Sequence, residues 1–123
     1  MKFVKGKRGF SLKGFLARVG RIREEIEEIK ERIAKELMIP PSSIGIMYIR
    51  SESPHGEEYK RIEVGLATGE FTRFTNVELE AIDRALRGTG WGLFEWVFDA
   101  GGVRPTLRFY IQKLVPKKYS IPI

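Results

Sequence analysis

A chain of 123 residues can form one compact domain but not two, so we expect a single domain over residues 1–123. The chain has no cysteine, which excludes disulfides and thiolate metal sites, and it has no apolar run long enough to span a membrane. Together with the lack of a signal-peptide pattern, these features predict a soluble cytoplasmic protein with no membrane contact. The formal net charge of +6 favours an anionic partner.

The positive charge is concentrated at the two ends of the chain. Residues 1–23 carry eight Lys or Arg and no acid, and the residues after Asp99 carry five and no acid, whereas the middle is acidic overall. Basic ends that converge in the fold form one positive face that attracts phosphate groups. We therefore expect a basic N-terminal arm, made flexible by Gly6 and Gly9, and a basic C-terminal tail, both contacting a nucleic-acid backbone. The cationic candidates at the ends are Lys5, Lys7, Arg8, Lys117 and Lys118.

Side-chain amides are rare in this composition. Only Asn76 and Gln112 carry one, while Glu, Lys, Arg and Ile are abundant. This pattern is typical of hyperthermophilic proteins, in which networks of charged groups contribute more to stability as the temperature rises. We expect a hyperthermophilic source.

Apolar side chains recur at alternating spacings of four and three between residues 15 and 33, which is the heptad pattern of a helix with one apolar face. The stripe consists of Phe15, Val19, Ile22, Ile26, Ile29 and Ile33. Pro40 and Pro41 cannot continue a helix, so the predicted helix covers residues 15–38. The stripe either packs across the chain's own sheet or forms a homodimer or higher oligomer. The oligomer-interface candidates are Ile22, Ile26, Ile29 and Ile33.

Segments rich in β-branched and aromatic residues follow the helix. Residues 44–51 and 59–67 are predicted to form a hairpin around turn residues 53–56, and residues 70–74 are predicted to form a short strand. Thr75 and Glu78 have the spacing of a capping box, which predicts a second, shorter helix.

Two more strands complete the predicted fold. Residues 91–99 and 103–115 are expected to pair as a second hairpin. The fold class is therefore α+β: an antiparallel sheet of two hairpins packed with a long N-terminal helix and a second shorter helix.

Alternation divides the last strand into an apolar and a polar face. Val103, Leu107, Phe109 and Ile111 are predicted to face the core, and the polar face consists of Arg104, Thr106, Arg108, Tyr110 and Gln112. In the first hairpin, the same reasoning directs Ile62, Val64 and Leu66 inward, and Tyr59, Arg61 and Glu63 outward. A sheet face with Arg and Tyr can bind phosphates by charge while nucleobases stack on the rings. The alternative is that one wet sheet face simply needs polar residues.

Aromatic residues cluster in two places. Phe71 and Phe74 flank Arg73, and the 91–99 strand contains Trp91, Phe94, Trp96 and Phe98. Strict alternation separates Phe94, Trp96 and Phe98 from Trp91, so we expect the former three to be buried and Trp91 to be exposed. Trp91 and Phe74 are candidates for base stacking, with a place in the core as the alternative.

No catalytic pattern is evident. His55 is the only histidine, and Glu57 and Glu58 nearby lack the spacing of a metal or acid–base site. The glycines at 88, 90 and 92 follow a predicted helix, the reverse of the order in dinucleotide-binding loops. We expect neither an enzyme nor a metal or other cofactor.

The heptad helix, the Phe71-Thr72-Arg73-Phe74 segment and the Arg104, Arg108 and Tyr110 strand together give a family resemblance. The chain resembles the ThermoDBP-type single-strand-binding proteins of hyperthermophilic archaea in architecture. That resemblance implies a small α+β nucleic-acid-binding domain with a basic groove lined by aromatic side chains. The zipper of that family follows the binding domain, whereas the stripe here precedes the strands, so no family site is carried over to numbered residues.

These observations predict non-catalytic binding of single-stranded DNA or RNA through a basic sheet face that bears aromatic residues. Besides the end cations, the predicted contacts are Tyr59, Arg61, Arg73, Phe74, Trp91, Arg104, Arg108 and Tyr110. The alternative is a small interaction or assembly protein, such as a component of a mobile element or virus particle, that oligomerises through the heptad helix.

Overall fold

The computed structural model describes residues 3–7 and 22–117, which contain five strands and two α-helices. In chain order these are β1 (Phe3–Lys7), α1 (Ile22–Leu37), β2 (Ile44–His55), β3 (Tyr59–Thr68), α2 (Asn76–Leu86), β4 (Gly92–Asp99) and β5 (Thr106–Pro116). The strands form one antiparallel sheet in the order β1-β4-β5-β3-β2. The α+β class and the antiparallel sheet are confirmed, but the sheet has a fifth strand besides the two hairpins.

The fifth strand, β1, occupies the segment that the sequence predicted to be a flexible arm. It pairs with β4, with Gly6 opposite Trp96. A Cβ atom at Gly6 would overlap the indole ring of Trp96, so the glycine lets this ring lie across the edge strand. The prediction of a flexible arm is therefore wrong for residues 3–7, where Gly6 serves close packing.

Helix α1 confirms the predicted apolar stripe within the described part of the chain. Residues 15–21 of the predicted helix lie outside the described residues, and β1 precedes α1, so the helix is not the first element. Each described stripe isoleucine, namely Ile22, Ile26, Ile29 and Ile33, is buried in the core that the helices share with the sheet. The prediction of an oligomer interface at these four residues is wrong, because the chain's own core already covers them.

The C-terminus of α1 closes with paired backbone hydrogen bonds. The Ile39 N–H donates to the Ala34 carbonyl at 3.0 Å, and the Met38 N–H donates to the Lys35 carbonyl at 3.2 Å. This is the Schellman arrangement, which requires a left-handed residue at the position of Met38, whose φ is 61°. Methionine thus occupies a position that favours glycine.

The helices cover one face of the sheet. Ile62, Val64 and Leu66 of β3 and Leu107, Phe109 and Ile111 of β5 are buried there, as alternation predicted. Burying each such side chain contributes about 1.5–3 kcal/mol to folding. Val103 is the exception, since it lies in the β4–β5 loop and is fully exposed.

The segment before α2 is irregular. Residues 70–74 do not form the predicted strand, and a bend lies at Thr72 and Arg73. The Phe74 ring stacks on the buried Phe98 ring at 6.2 Å, which places it on the helix side of the sheet. The predicted cap of α2 is confirmed: the Thr75 hydroxyl accepts from the Val77 N–H at 3.2 Å and donates to Glu78 at 2.5 Å.

Candidate nucleic-acid interface

The sheet face opposite the two helices, here called the open face, carries a row of three aromatic side chains. The Tyr48 and Tyr110 ring centroids are 6.1 Å apart, and those of Tyr110 and Phe94 are 6.2 Å apart. All three residues are half-buried. This aromatic row, defined as Tyr48, Tyr110 and Phe94, crosses the sheet from β2 to β4.

A glycine brings the two tyrosines together. Gly65 of β3 pairs with Tyr48 on one side and Tyr110 on the other. A Cβ atom at Gly65 would lie 2.8 Å from Cε1 of Tyr48, so only glycine leaves room for this ring above β3. The missing side chain lets Tyr48 reach across one strand towards Tyr110.

A β-bulge places Phe94 in the row. The pairing of β4 with β5 shifts between Leu93 and Glu95, which inserts Phe94 as an extra residue. Strict alternation therefore fails here: Leu93, Trp96 and Phe98 pack with the helix-side core, while Phe94 turns to the open face. The predicted burial of Phe94 in a core strand is wrong for this reason.

Trp91 is not exposed, contrary to the sequence-based expectation. It is 3% exposed and belongs to the core. Its Nε1–H donates to Glu25 at 3.1 Å, and the Lys113 ammonium lies 5.2 Å from its ring centroid and contacts the same carboxylate. These contacts on the helix side remove Trp91 from the stacking candidates.

Two cations lie in the row of residues next to the aromatic row. Lys5 pairs with Val97, and Val97 pairs with Arg108 on its other side, so both cations belong to the same face. Lys5 is exposed and Arg108 is half-buried. Neither forms an ion pair with another residue of the described ranges.

On the other side of the aromatic row, charges are paired. Glu63 is buried, and its Oε1 accepts from the Tyr48 hydroxyl at 2.6 Å and from Arg50 Nη2 at 2.9 Å. Arg61 contacts Glu52 directly and lies 3.8 Å from Glu63. The positive charge of Arg61 is thus largely neutralised within the protein.

These contacts raise the pKa values of two side chains, Tyr48 and Arg50. Burial, reinforced by the hydrogen bond to Glu63, raises the pKa of Tyr48. The hydrogen bond to Glu63 also raises the pKa of Arg50, whose guanidinium lies 5.2 Å from the Tyr48 ring centroid. Tyr48 therefore stays a neutral donor, and its ring is held in place at one end of the aromatic row.

The remaining predicted contacts do not gather at one site. Tyr59 lies on the open face two positions beyond Arg61, at the far end of β3. Arg73 lines a groove on the helix side, and Arg104 lies beside Gly69 in the loop before β5. Lys117 follows the other end of β5, so the eleven residues of this strand, about 36 Å at roughly 3.3 Å per residue, separate it from Arg104.

Some predicted contacts fall outside the described part. Lys7 pairs with Glu95 through its backbone, but its side chain is not described; Arg8 and Lys118 lie outside the described residues. Of the predicted residues, the structure brings Lys5, Arg108 and Tyr110 into one neighbourhood. The expectation that basic ends form one continuous face is not met by the described cations, because Arg104 and Lys117 flank opposite ends of β5.

Sequence reasoning missed three residues of this neighbourhood, namely Tyr48, Arg50 and Phe94. Alternation along residues 44–51 could have revealed Tyr48 and Arg50, since they lie two apart on one face of a predicted strand. No sequence signal marks the bulge that exposes Phe94.

No group of three His, Asp or Glu residues able to hold a metal ion is present within residues 3–7 and 22–117. Neither described helix is both long and apolar enough to cross a membrane. Comparisons with protein-family models, with curated proteins and with solved structures found no match for this chain.

Proposed function

We propose that this protein binds single-stranded DNA or RNA, without catalysis, on the open face of its sheet. The observation that carries the proposal is the aromatic row beside Lys5 and Arg108, two cations without an ionic partner in the described part of the chain. The resemblance to ThermoDBP-type proteins remains a prediction, and the proposal does not depend on it.

Ring exposure supports a single-stranded ligand. The half-buried rings lie on a sheet face that neither described helix covers, and they offer flat apolar surface to bases that are splayed out of a strand. Bases inside a duplex are stacked on each other and cannot reach such rings. The neighbouring cations then hold the phosphates between the stacked bases.

Acidic side chains on the open face limit the electrostatic contribution to nucleic-acid binding. Arg50 and Arg61 are engaged by Glu63 and Glu52, and Glu95 adds a negative charge in the register position next to Tyr110. Stacking on the aromatic row must therefore provide much of the binding free energy. The alternative of an assembly protein built on the heptad helix loses its basis, because the described stripe is buried.

The test is titration of a labelled mixed-sequence oligonucleotide with wild-type protein and with Tyr110→Ala. Loss of one stacked base costs about 1–3 kcal/mol, so we expect Kd to rise about 5- to 150-fold. Tyr110→Phe keeps the ring and should bind within about twofold of wild type.

A matched pair of charge variants completes the test. Arg108→Gln should weaken binding, whereas Arg23→Gln, which removes the same charge from an exposed position of α1, should not. Absence of wild-type binding, or equal loss in both charge variants, contradicts the proposal.

A further inference from the structure

Strand β2 forms one edge of the sheet. Nine of its twelve residues pair with β3 on one side, and no strand among the described residues pairs with its other side. Every second residue of an edge strand directs its N–H and C=O groups away from the sheet, where they can pair with another strand. Among the described residues, the outer edge of β2 is thus open to strand addition.

The charges on this edge are complementary to a copy of themselves. Arg50 and Glu52 lie two apart on the open face, with Ser51 between them, and their side chains are 57% and 37% exposed. In an antiparallel pair of β2 strands centred on Ser51, Arg50 of one copy faces Glu52 of the other. The twofold axis repeats this contact, so each dimer gains two ion pairs.

The same register extends a charge pattern that already exists inside each chain. Glu63 lies beside Arg50, and Arg61 lies beside Glu52, in neighbouring rows of the sheet. In the dimer, one row of side chains crosses four strands. It runs from Glu63 and Arg50 of one copy to Glu52 and Arg61 of the second copy, and the sign of the charge alternates along it. Adjacent opposite charges of this kind favour one register over others.

Competing registers lack this match. Centring the pair on Arg50 places two arginines opposite each other, and centring it on Glu52 does the same for two glutamates. Bulges between Ile46 and Tyr48 and between Glu52 and His55 confine the regular ladder to the segment that contains Arg50, Ser51 and Glu52. The charges and the bulges therefore select the same short segment.

From this edge we infer that the protein forms a symmetric dimer by antiparallel pairing of β2 strands about Ser51. The two sheets become one, with both open faces on the same side. The inference does not require nucleic-acid binding, although the joined surface would accommodate a longer strand. It assigns self-association to β2, not to the buried stripe of α1.

The test uses sedimentation velocity of the wild-type chain and of two charge reversals, Arg50→Glu and Glu52→Arg. We expect a wild-type dimer at concentrations of about 100 µM, because a contact of this size is weak. Each variant alone places like charges opposite each other and should sediment as a monomer. An equimolar mixture restores two opposite-charge pairs and should sediment as a dimer.

The mixture of the two variants distinguishes loss of the contact between chains from loss of a contact within each chain. Each variant also loses an internal partner, Glu63 or Arg61, and mixing does not repair that loss. Glu28→Lys, a reversal on the exposed surface of α1, should leave the wild-type dimer unchanged. A wild-type chain that stays monomeric at about 500 µM overturns the inference, as does a dimer that survives either reversal alone.

Discussion

At the scale of single residues, Tyr48 links the stability of the sheet to the candidate interface. Its ring belongs to the aromatic row, and its hydroxyl donates to the buried Glu63. This hydrogen bond already orders the Tyr48 ring in the free protein. Nucleic-acid binding therefore does not incur the entropy cost of ordering the ring, which favours affinity.

Tyr48→Phe should destabilise the fold without removing the ring. A hydrogen bond to a charged group contributes about 1.5–3 kcal/mol, so the free energy of unfolding at pH 7 should fall by about that amount. Urea denaturation followed by tryptophan fluorescence measures it, since Trp91 and Trp96 both pack in or against the core. Oligonucleotide affinity should change less than in Tyr110→Ala.

The stability difference between wild type and Tyr48→Phe should depend on pH in a defined direction. The pKa of Tyr48 is raised in the folded state, by burial first and by the bond to Glu63 second. Its stabilising contribution is therefore complete below the unfolded tyrosine pKa of about 10 and declines as the pH rises above it. A difference that stays constant from pH 7 to pH 11 would contradict the assigned role of the hydroxyl.

Alternation within a strand revealed Arg108 and Tyr110 from the sequence, because a regular strand turns successive side chains to opposite faces. The same rule misplaced Phe94 and Trp91. A bulge inserts one residue and so reverses the alternation of side chains beyond it. Nothing in the sequence of residues 91–99 marks where the bulge occurs.

At the scale of elements, the end of α1 contains a local conflict between residue type and backbone. Met38 has a left-handed φ and a side chain that is 90% exposed, so it incurs steric strain without packing in return. The surrounding hydrogen bonds of the helix end hold it there.

Met38→Gly should stabilise the protein by about 0.5–1 kcal/mol. Glycine removes the left-handed strain of about 1–2 kcal/mol. Part of this stabilisation is offset, because glycine increases the conformational entropy of the unfolded chain. Met38→Ala keeps a Cβ atom and should show no such gain. Thermal unfolding of the three proteins tests this, and equal stabilisation by both variants would point to the loss of the methionine side chain instead.

The sequence predicted α2 and the described part of α1, because their signals are local: a heptad stripe, two prolines and a capping box. It predicted β1 as an arm, since five residues with two lysines and a glycine lack the pattern of a strand. Pairing with β4 stabilises that segment, and this partner is more than eighty residues away in the chain.

At the scale of the whole molecule, the fold distributes the charges more widely than the sequence suggested. Lys5 and Arg108 come together because β1 and β5 both flank β4. Arg104 and Lys117 are separated by the length of β5. Among the described residues, two cations without an ionic partner therefore lie beside the aromatic row.

Salt dependence measures how many cations contact the strand. Each neutralised phosphate of a single strand contributes about −0.7 to the slope of log K against log salt, so Lys5 and Arg108 together predict a slope of about −1.4. Titrations at several salt concentrations give this slope. A value of about −5 or steeper would show that many further cations, including those at the chain ends, contact the nucleic acid.

The sequence by itself determined the α+β class, the helix faces and the core positions of β3 and β5, because these depend on periodicity within short segments. Tertiary structure alone decided that β1 closes one edge of the sheet, that Tyr48, Tyr110 and Phe94 meet, and that Trp91 is buried against Glu25 and Lys113. The physical reason is that these contacts join residues distant in the chain. They depend on strand order, on a glycine that leaves room for a ring, and on a bulge, none of which has a periodic signature.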